Sequence, residues 1–171
     1  MIFDIAFKYV VGEEGALSLD PDDRGNWTGG ARGVGVLRGT KFGISAMAYP
    51  TMDIADLTLS AAKDIYQTDY WVPARCPVYS DSVALMVFDA AVNQGIQRAK
   101  EMLQEALGVR VDGEIGPSTL GALALANPHI LIAEYRDVRI QHYRRDAEFD
   151  KFGAGWVKRA NQTAQEAATL V

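Results

Sequence analysis

The sequence holds one cysteine, two histidines and 17 lysines and arginines against 22 aspartates and glutamates. Cys76 has no second cysteine to pair with inside the chain. His129 and His142 stand in a helical stretch without a cysteine or carboxylate at zinc-motif spacing. Neither a disulfide scaffold nor a zinc site is expected. A formal net charge of −5 supplies no basic footprint for nucleic acid or anionic lipid, so neither is expected as a partner. No apolar run approaches the roughly 18 to 20 residues of a membrane span, which leaves no expectation of stable membrane insertion. The start, Met1-Ile2-Phe3-Asp4-Ile5, lacks the basic region, apolar run and small-residue cleavage site of a signal peptide. A cytoplasmic product is expected, reaching the periplasm only with the help of another component.

What is present is enough apolar material, 49% of 171 residues, for one well-buried core and a single domain, residues 1–171. Phe3, Ala6, Phe7 and Val10 recur at helical spacing, predicting a helix from residue 2 to about 12, closed near Gly12. From Gly15 to Gly43 glycine, aspartate and proline predominate, with a β-type piece at Val34–Leu37, so loops and a small irregular hairpin are expected. Helices are predicted over Leu59–Tyr70, entered through Thr58; over Ser82–Gln94, ended by Gly95; and over Gln97–Leu107, ended by Gly108. Two more begin at Pro117 and Pro128, the latter capped by Asn127, and a last runs from about Gly155 to Leu170.

Acidic residues flank a short apolar turn in Gly12-Glu13-Glu14-Gly15-Ala16-Leu17-Ser18-Leu19-Asp20-Pro21-Asp22-Asp23. Cleaving a glycosidic bond needs one protonated carboxyl to assist the departing oxygen and one ionised carboxylate to activate water or oppose the sugar cation. Such a segment provides both, although on spacing alone a solvated acidic loop is the favoured reading, since charge runs are usually exposed. An EF-hand reading fails because Arg24 and Ala31 stand where calcium ligands are required, and the glycines at 29–39 lack the order of a phosphate loop. Asn26-Trp27-Thr28 matches a glycosylation sequon only at chance level.

Several blocks, in order, resemble the muramidases of glycoside hydrolase family 108, found as phage endolysins and bacterial secretion-associated lysozymes. They are Glu14-Gly15-Ala16-Leu17, Asp20-Pro21, Asp23, Thr40-Lys41-Phe42-Gly43-Ile44, Asp69-Tyr70-Trp71, Phe88-Asp89-Ala90-Ala91-Val92-Asn93-Gln94-Gly95, Asp112-Gly113-Glu114-Ile115-Gly116-Pro117 and Gly155-Trp156. The first block departs from the family's Glu-Gly-Gly-Tyr, and the stretch from Arg24 to Gly39 is longer than usual. The resemblance implies a mainly α, lysozyme-like globule with a small β-hairpin lobe and a cleft holding Glu14. Residues 1–90 would carry the catalytic lobe and 91–171 a helical peptidoglycan-binding lobe.

It further implies cleavage of the β-1,4 bond between N-acetylmuramic acid and N-acetylglucosamine in peptidoglycan glycan strands, by a monomer needing no cofactor. Glu14 would be the acid, Asp23 the second carboxylate, and Thr40 a positioner of water. Trp71, Phe42, Asn93 and Gln94 would contact substrate. Alternatives stay open: Thr40 as a turn hydroxyl, Trp71 as a core aromatic, Asn93 as a helix cap, and Asp20 and Asp22 as turn residues. Asp89 and the Asp112–Pro117 block read as structural first. At the level of function, a lytic transglycosylase and a non-catalytic wall-binding or phage structural module are the rivals.

Overall fold

A computed structural model describes residues 1–171. Seven helices follow in order: α1 (Ile2–Val10), α2 (Leu59–Tyr66), α3 (Asp81–Gln94), α4 (Ile96–Ala106), α5 (Pro117–Leu125), α6 (Pro128–Arg144) and α7 (Phe149–Ala168). The only ladder is a two-stranded antiparallel one, β1 (Thr40–Lys41) against β2 (Ile44–Ser45), with Thr40 opposite Ser45 and Lys41 opposite Ile44. No helix is long and apolar enough to cross a membrane. The chain packs as two compact units, Phe7–Gln67 and Met1–Ala6 with Thr68–Val171.

The sequence punctuation sets most helix ends. Gly12, Gly95 and Gly108 take positive φ where α1, α3 and α4 stop. Thr58 accepts from the N–H of Ala61, and Asn127 from those of His129 and Ile130, giving α2 and α6 their N-caps. Val34–Leu37 pairs with Trp27–Gly29 as the irregular hairpin expected, through an antiparallel bridge between Trp27 and Leu37 and bonds such as Thr28 N–H to Val36 O (3.0 Å), while the positive φ of Gly33 and Gly35 keeps it from forming a regular strand. One expectation needs correcting. The last helix begins at Phe149, six residues before Gly155, and its Gly153 serves packing: a Cβ there would fall 2.5 Å from the Phe149 ring. The helix after Thr58 also changes character early, passing from α to a π turn over Gln67–Trp71.

In the unit Phe7–Gln67 a small core of Phe7, Phe42, Ile44, Ile54, Leu57 and Tyr66 anchors long loops. Phe7 and Tyr66 meet edge to face at 5.5 Å. In the helical unit, α3 is buried continuously from Ser82 to Ala91 and packs against α4, α6 and α7. A helix apolar on all sides is stable only when surrounded. Full burial of Leu85, Met86 or Phe88 contributes roughly 1.5–3 kcal/mol each by transfer from water.

Candidate active site

Glu14 lies in the coil that follows α1, exposed, with no ion pair or hydrogen bond from its side chain. Its neighbour Glu13 takes the nearby cation instead, 3.7 Å from Lys8 Nζ. Four residues on, Ser18 exchanges backbone bonds with Thr40: its N–H donates to Thr40 O (2.9 Å) and its carbonyl accepts from Thr40 N–H (3.0 Å). Gly39 makes that approach possible, since a Cβ there would stand 2.3 Å from Ser18 O. The Glu14 segment is thereby stitched to β1.

The three nearby aspartates divide their roles. Asp20 Oδ1 accepts from Asp22 N–H at 2.9 Å, an Asx turn. Asp22 pairs with Arg32 on the surface. Asp23 Oδ1 accepts from Gly25 N–H at 2.8 Å and caps the short 3₁₀ helix Arg24–Asn26; no cation pairs with it. One oxygen of Asp23 is thus held by backbone and the other is left for a ligand or water.

Behind them sits Asn26, fully buried. Its Nδ2 donates to Asp20 O (2.9 Å), its Oδ1 accepts from Thr40 Oγ1–H (2.7 Å), and its carbonyl accepts from the N–H groups of Arg38 and Gly39 (3.0 Å each). Thr40 spends its hydroxyl proton on Asn26, so its oxygen lone pairs remain as acceptors. Asn26 joins the aspartate loop to Thr40, and sequence reasoning missed it. Burial also removes it as a glycosylation acceptor.

Two of the proposed sugar contacts have packing roles. Phe42 is 9% exposed with φ +51, its carbonyl accepting from Tyr66 Oη–H at 3.0 Å. Its ring lies against Gly15, where an added Cβ would fall 2.1 Å from Cζ. Trp71, 4% exposed, meets Phe3 and Phe88 edge to face at 5.3 Å each. Neither ring presents the open face that a stacked sugar requires. Asn93 and Gln94 fare differently: both line a pocket of about 320 Å³ at the C-terminal end of α3. Asn93 Nδ2 donates to Asp89 O (2.7 Å), and Gln94 Oε1 accepts from Arg139 Nε (2.8 Å).

Residues 7–95, the stretch that carries Glu14, Asp23, Thr40 and Asn93, match the model of the glycosyl hydrolase 108 family. The chain belongs to this family. Residues 98–161 match a second model, described as a predicted peptidoglycan domain. Among solved structures the chain is similar to SagA of Brucella abortus, 28% identical with a TM-score of 0.79, over 98% of this chain and 94% of that one. No curated protein matches it. The mainly helical, lysozyme-like fold expected from the sequence is borne out.

Membership in family 108 makes the protein a peptidoglycan-directed glycoside hydrolase of the lysozyme-like kind. The family match runs through α3 to Gly95, whereas the packing boundary falls after Gln67, so α3 belongs to the first sequence block and to the core of the helical unit. The structure gives Asp89 the structural role expected of it. Its side chain is fully buried, with Oδ2 2.5 Å from Arg139 Nη1 and Oδ1 2.6 Å from Arg159 Nη2. Gln104, likewise buried, accepts from the N–H groups of Asp112 (2.9 Å) and Gly113 (2.7 Å), tying the Asp112–Pro117 turn to α4.

Proposed function

We propose that the protein is an N-acetylmuramidase that hydrolyses the β-1,4 bond between N-acetylmuramic acid and N-acetylglucosamine. Glu14 protonates the departing oxygen, Asp23 activates water or opposes the developing positive charge, and Thr40 orients the water through its free lone pairs. The observation that carries this reading is the stitching of the Glu14 segment to Thr40 through Ser18 and of the Asp23 loop to Thr40 through Asn26. Acid, carboxylate and water acceptor thus ride on one hydrogen-bonded cluster. No cation pairs with the Glu14 carboxyl, and Lys8 is taken by Glu13. Acting as an endolysin, the enzyme would meet its substrate beyond the inner membrane after another component opens the way.

The test is turbidity loss of outer-membrane-permeabilised Gram-negative cells with wild type and Glu14→Gln. The variant is nearly isosteric and cannot donate the proton, so clearing should fall by about 10²–10⁴-fold with the fold intact. Equal clearing by both would remove Glu14 from the mechanism. Mass spectrometry of the digested sacculi should find reducing muramic ends. A majority of 1,6-anhydro ends would replace hydrolysis by transglycosylation, and sacculus binding without clearing would leave a wall-binding module.

A further inference from the structure

The buried Asn26 amide can sit only one way round. Its Nδ2 lies 2.9 Å from Asp20 O and 3.5 Å from Ser18 Oγ, and a main-chain carbonyl can only accept. The NH₂ must therefore face Asp20, which turns Oδ1 toward the Thr40 hydroxyl at 2.7 Å. The backbone of Asn26 is pinned as well: its N–H donates to Asp23 O (3.1 Å), and its carbonyl accepts from Arg38 and Gly39. Reversing the amide would set two acceptors against each other at Asp20, in a place fully out of solvent where water cannot relieve them.

The consequence falls on Thr40, which is half-buried and has one hydroxyl proton to give. With that proton committed to Oδ1, whatever meets Thr40 from the solvent side must donate to it. A water there gives one hydrogen bond to Thr40 and offers its other proton to Asp23, so an oxygen lone pair stays free for attack. With the amide reversed, Thr40 would be free to donate to the water and occupy that lone pair. We propose that Asn26 is a positioning residue of the glycosidase reaction. Wholly buried, it touches no substrate, and it acts by fixing the direction of the Thr40 hydrogen bond. The proposal deepens the muramidase reading and rests on it for the reaction that the water performs.

Two variants of nearly the same shape separate this role from a structural one. Asn26→Leu removes the acceptor for Thr40 and the donor for Asp20 O. Asn26→Asp keeps an acceptor for Thr40 but, when ionised, opposes Asp20 O with a second acceptor, so it loses stability and retains the direction. Turnover on sacculi is measured at each protein's own pH optimum and below its melting transition. Asn26→Leu should lower kcat about tenfold with KM within about twofold, whereas Asn26→Asp should hold kcat within about threefold despite a lower Tm. In a Thr40→Val background, Asn26→Leu should change kcat by less than about twofold, because the hydroxyl it directs is gone. Wild type supplies a reading that needs no variant: by NMR, the Asn26 side-chain amide protons should exchange at least about tenfold more slowly than those of exposed Asn127.

Wild-type turnover by Asn26→Leu, kcat losses that follow Tm in both variants, full multiplication of the Asn26→Leu and Thr40→Val losses, or fast exchange of the Asn26 amide would each overturn the role and leave the muramidase reading standing. A wild type that fails to clear sacculi would remove both together.

Discussion

The Asp89 carboxylate meets the Arg139 guanidinium at 2.5 Å with both side chains wholly out of solvent. Arg159 takes the other carboxylate oxygen, so one acid on α3 ties α6 and α7 to it. Burial draws the Arg139 pKa down, but the Asp89 charge, the Tyr143 and Tyr135 side chains and the Asp89 hydrogen bond together more than offset this, so the net shift is upward and the guanidinium stays charged. Asp89→Asn keeps the shape and removes the counter-charge, leaving a buried cation uncompensated. A loss of about 3–5 kcal/mol is expected in urea denaturation. A loss below about 1 kcal/mol would show that the pair does not hold these helices together.

Gln104 offers a second stability test with a pH signature. Gln104→Leu leaves the N–H groups of Asp112 and Gly113 without their acceptor, which should cost about 1–3 kcal/mol. The Gln104 amide, then the Glu114 N–H, holds the Asp112 carboxyl below its ordinary value. An acid depressed in the folded state adds stability above its unfolded pKa and gives it up as pH falls through the lower folded value. Wild type should therefore lose this increment on acidification below about pH 4, and Gln104→Leu should show a shallower fall over the same range. Parallel acid curves would dissociate Gln104 from the Asp112 titration.

Where an element's end depends on local chemistry, the sequence showed it. Gly95 closes α3, Asn127 with Pro128 opens α6, and Thr58 caps α2, because cap and φ preferences act within a few residues. Asp89 was legible as structural because an acid inside an otherwise apolar helix must find a partner. What depended on distant packing was not legible. Gln104 stands on a polar amphipathic helix and reads as surface, yet the turn at 112–116 closes over it. Gly155 reads as the start of the last helix, whereas α7 begins at Phe149 and its Gly153 makes room for the Phe149 ring. Trp71 and Phe42 have the chemistry of sugar platforms, but whether a ring face is open is decided by what packs on it. Asn26, the link between Asp23's loop and Thr40, carried no signal beyond an accidental sequon.

The contact between Gly15 and Phe42 supports the residue next to Glu14 and can be isolated by a double-mutant cycle. Gly15→Ala places a methyl 2.1 Å from Phe42 Cζ, so the ring must move against the Tyr66 bond that holds its backbone. Overpacking of this kind costs about 1–3 kcal/mol. In a Phe42→Leu background the same substitution should cost at least about 0.5 kcal/mol less, because the smaller side chain yields space. Strict additivity in thermal denaturation would deny the contact. Sacculus clearing by Gly15→Ala should fall more than its stability does, since the displaced segment carries the acid.

Thr40 separates structural from chemical work most cleanly. Its hydroxyl proton goes to Asn26 Oδ1 at 2.7 Å, and its remaining lone pairs are the acceptors assigned to the attacking water. Thr40→Val removes both functions and leaves a buried carbonyl oxygen on Asn26 unsatisfied, at a cost of about 1–3 kcal/mol. Thr40→Ser restores the hydroxyl. If the hydroxyl positions water, Thr40→Val should lower kcat on sacculi by about 10²-fold with KM nearly unchanged, because the interaction is made in the transition state and not in substrate binding. Thr40→Ser should recover most of kcat even if its stability stays below wild type. A Thr40→Val enzyme that turns over at the wild-type rate would reduce Thr40 to a turn hydroxyl and leave Asp23 alone to meet the water.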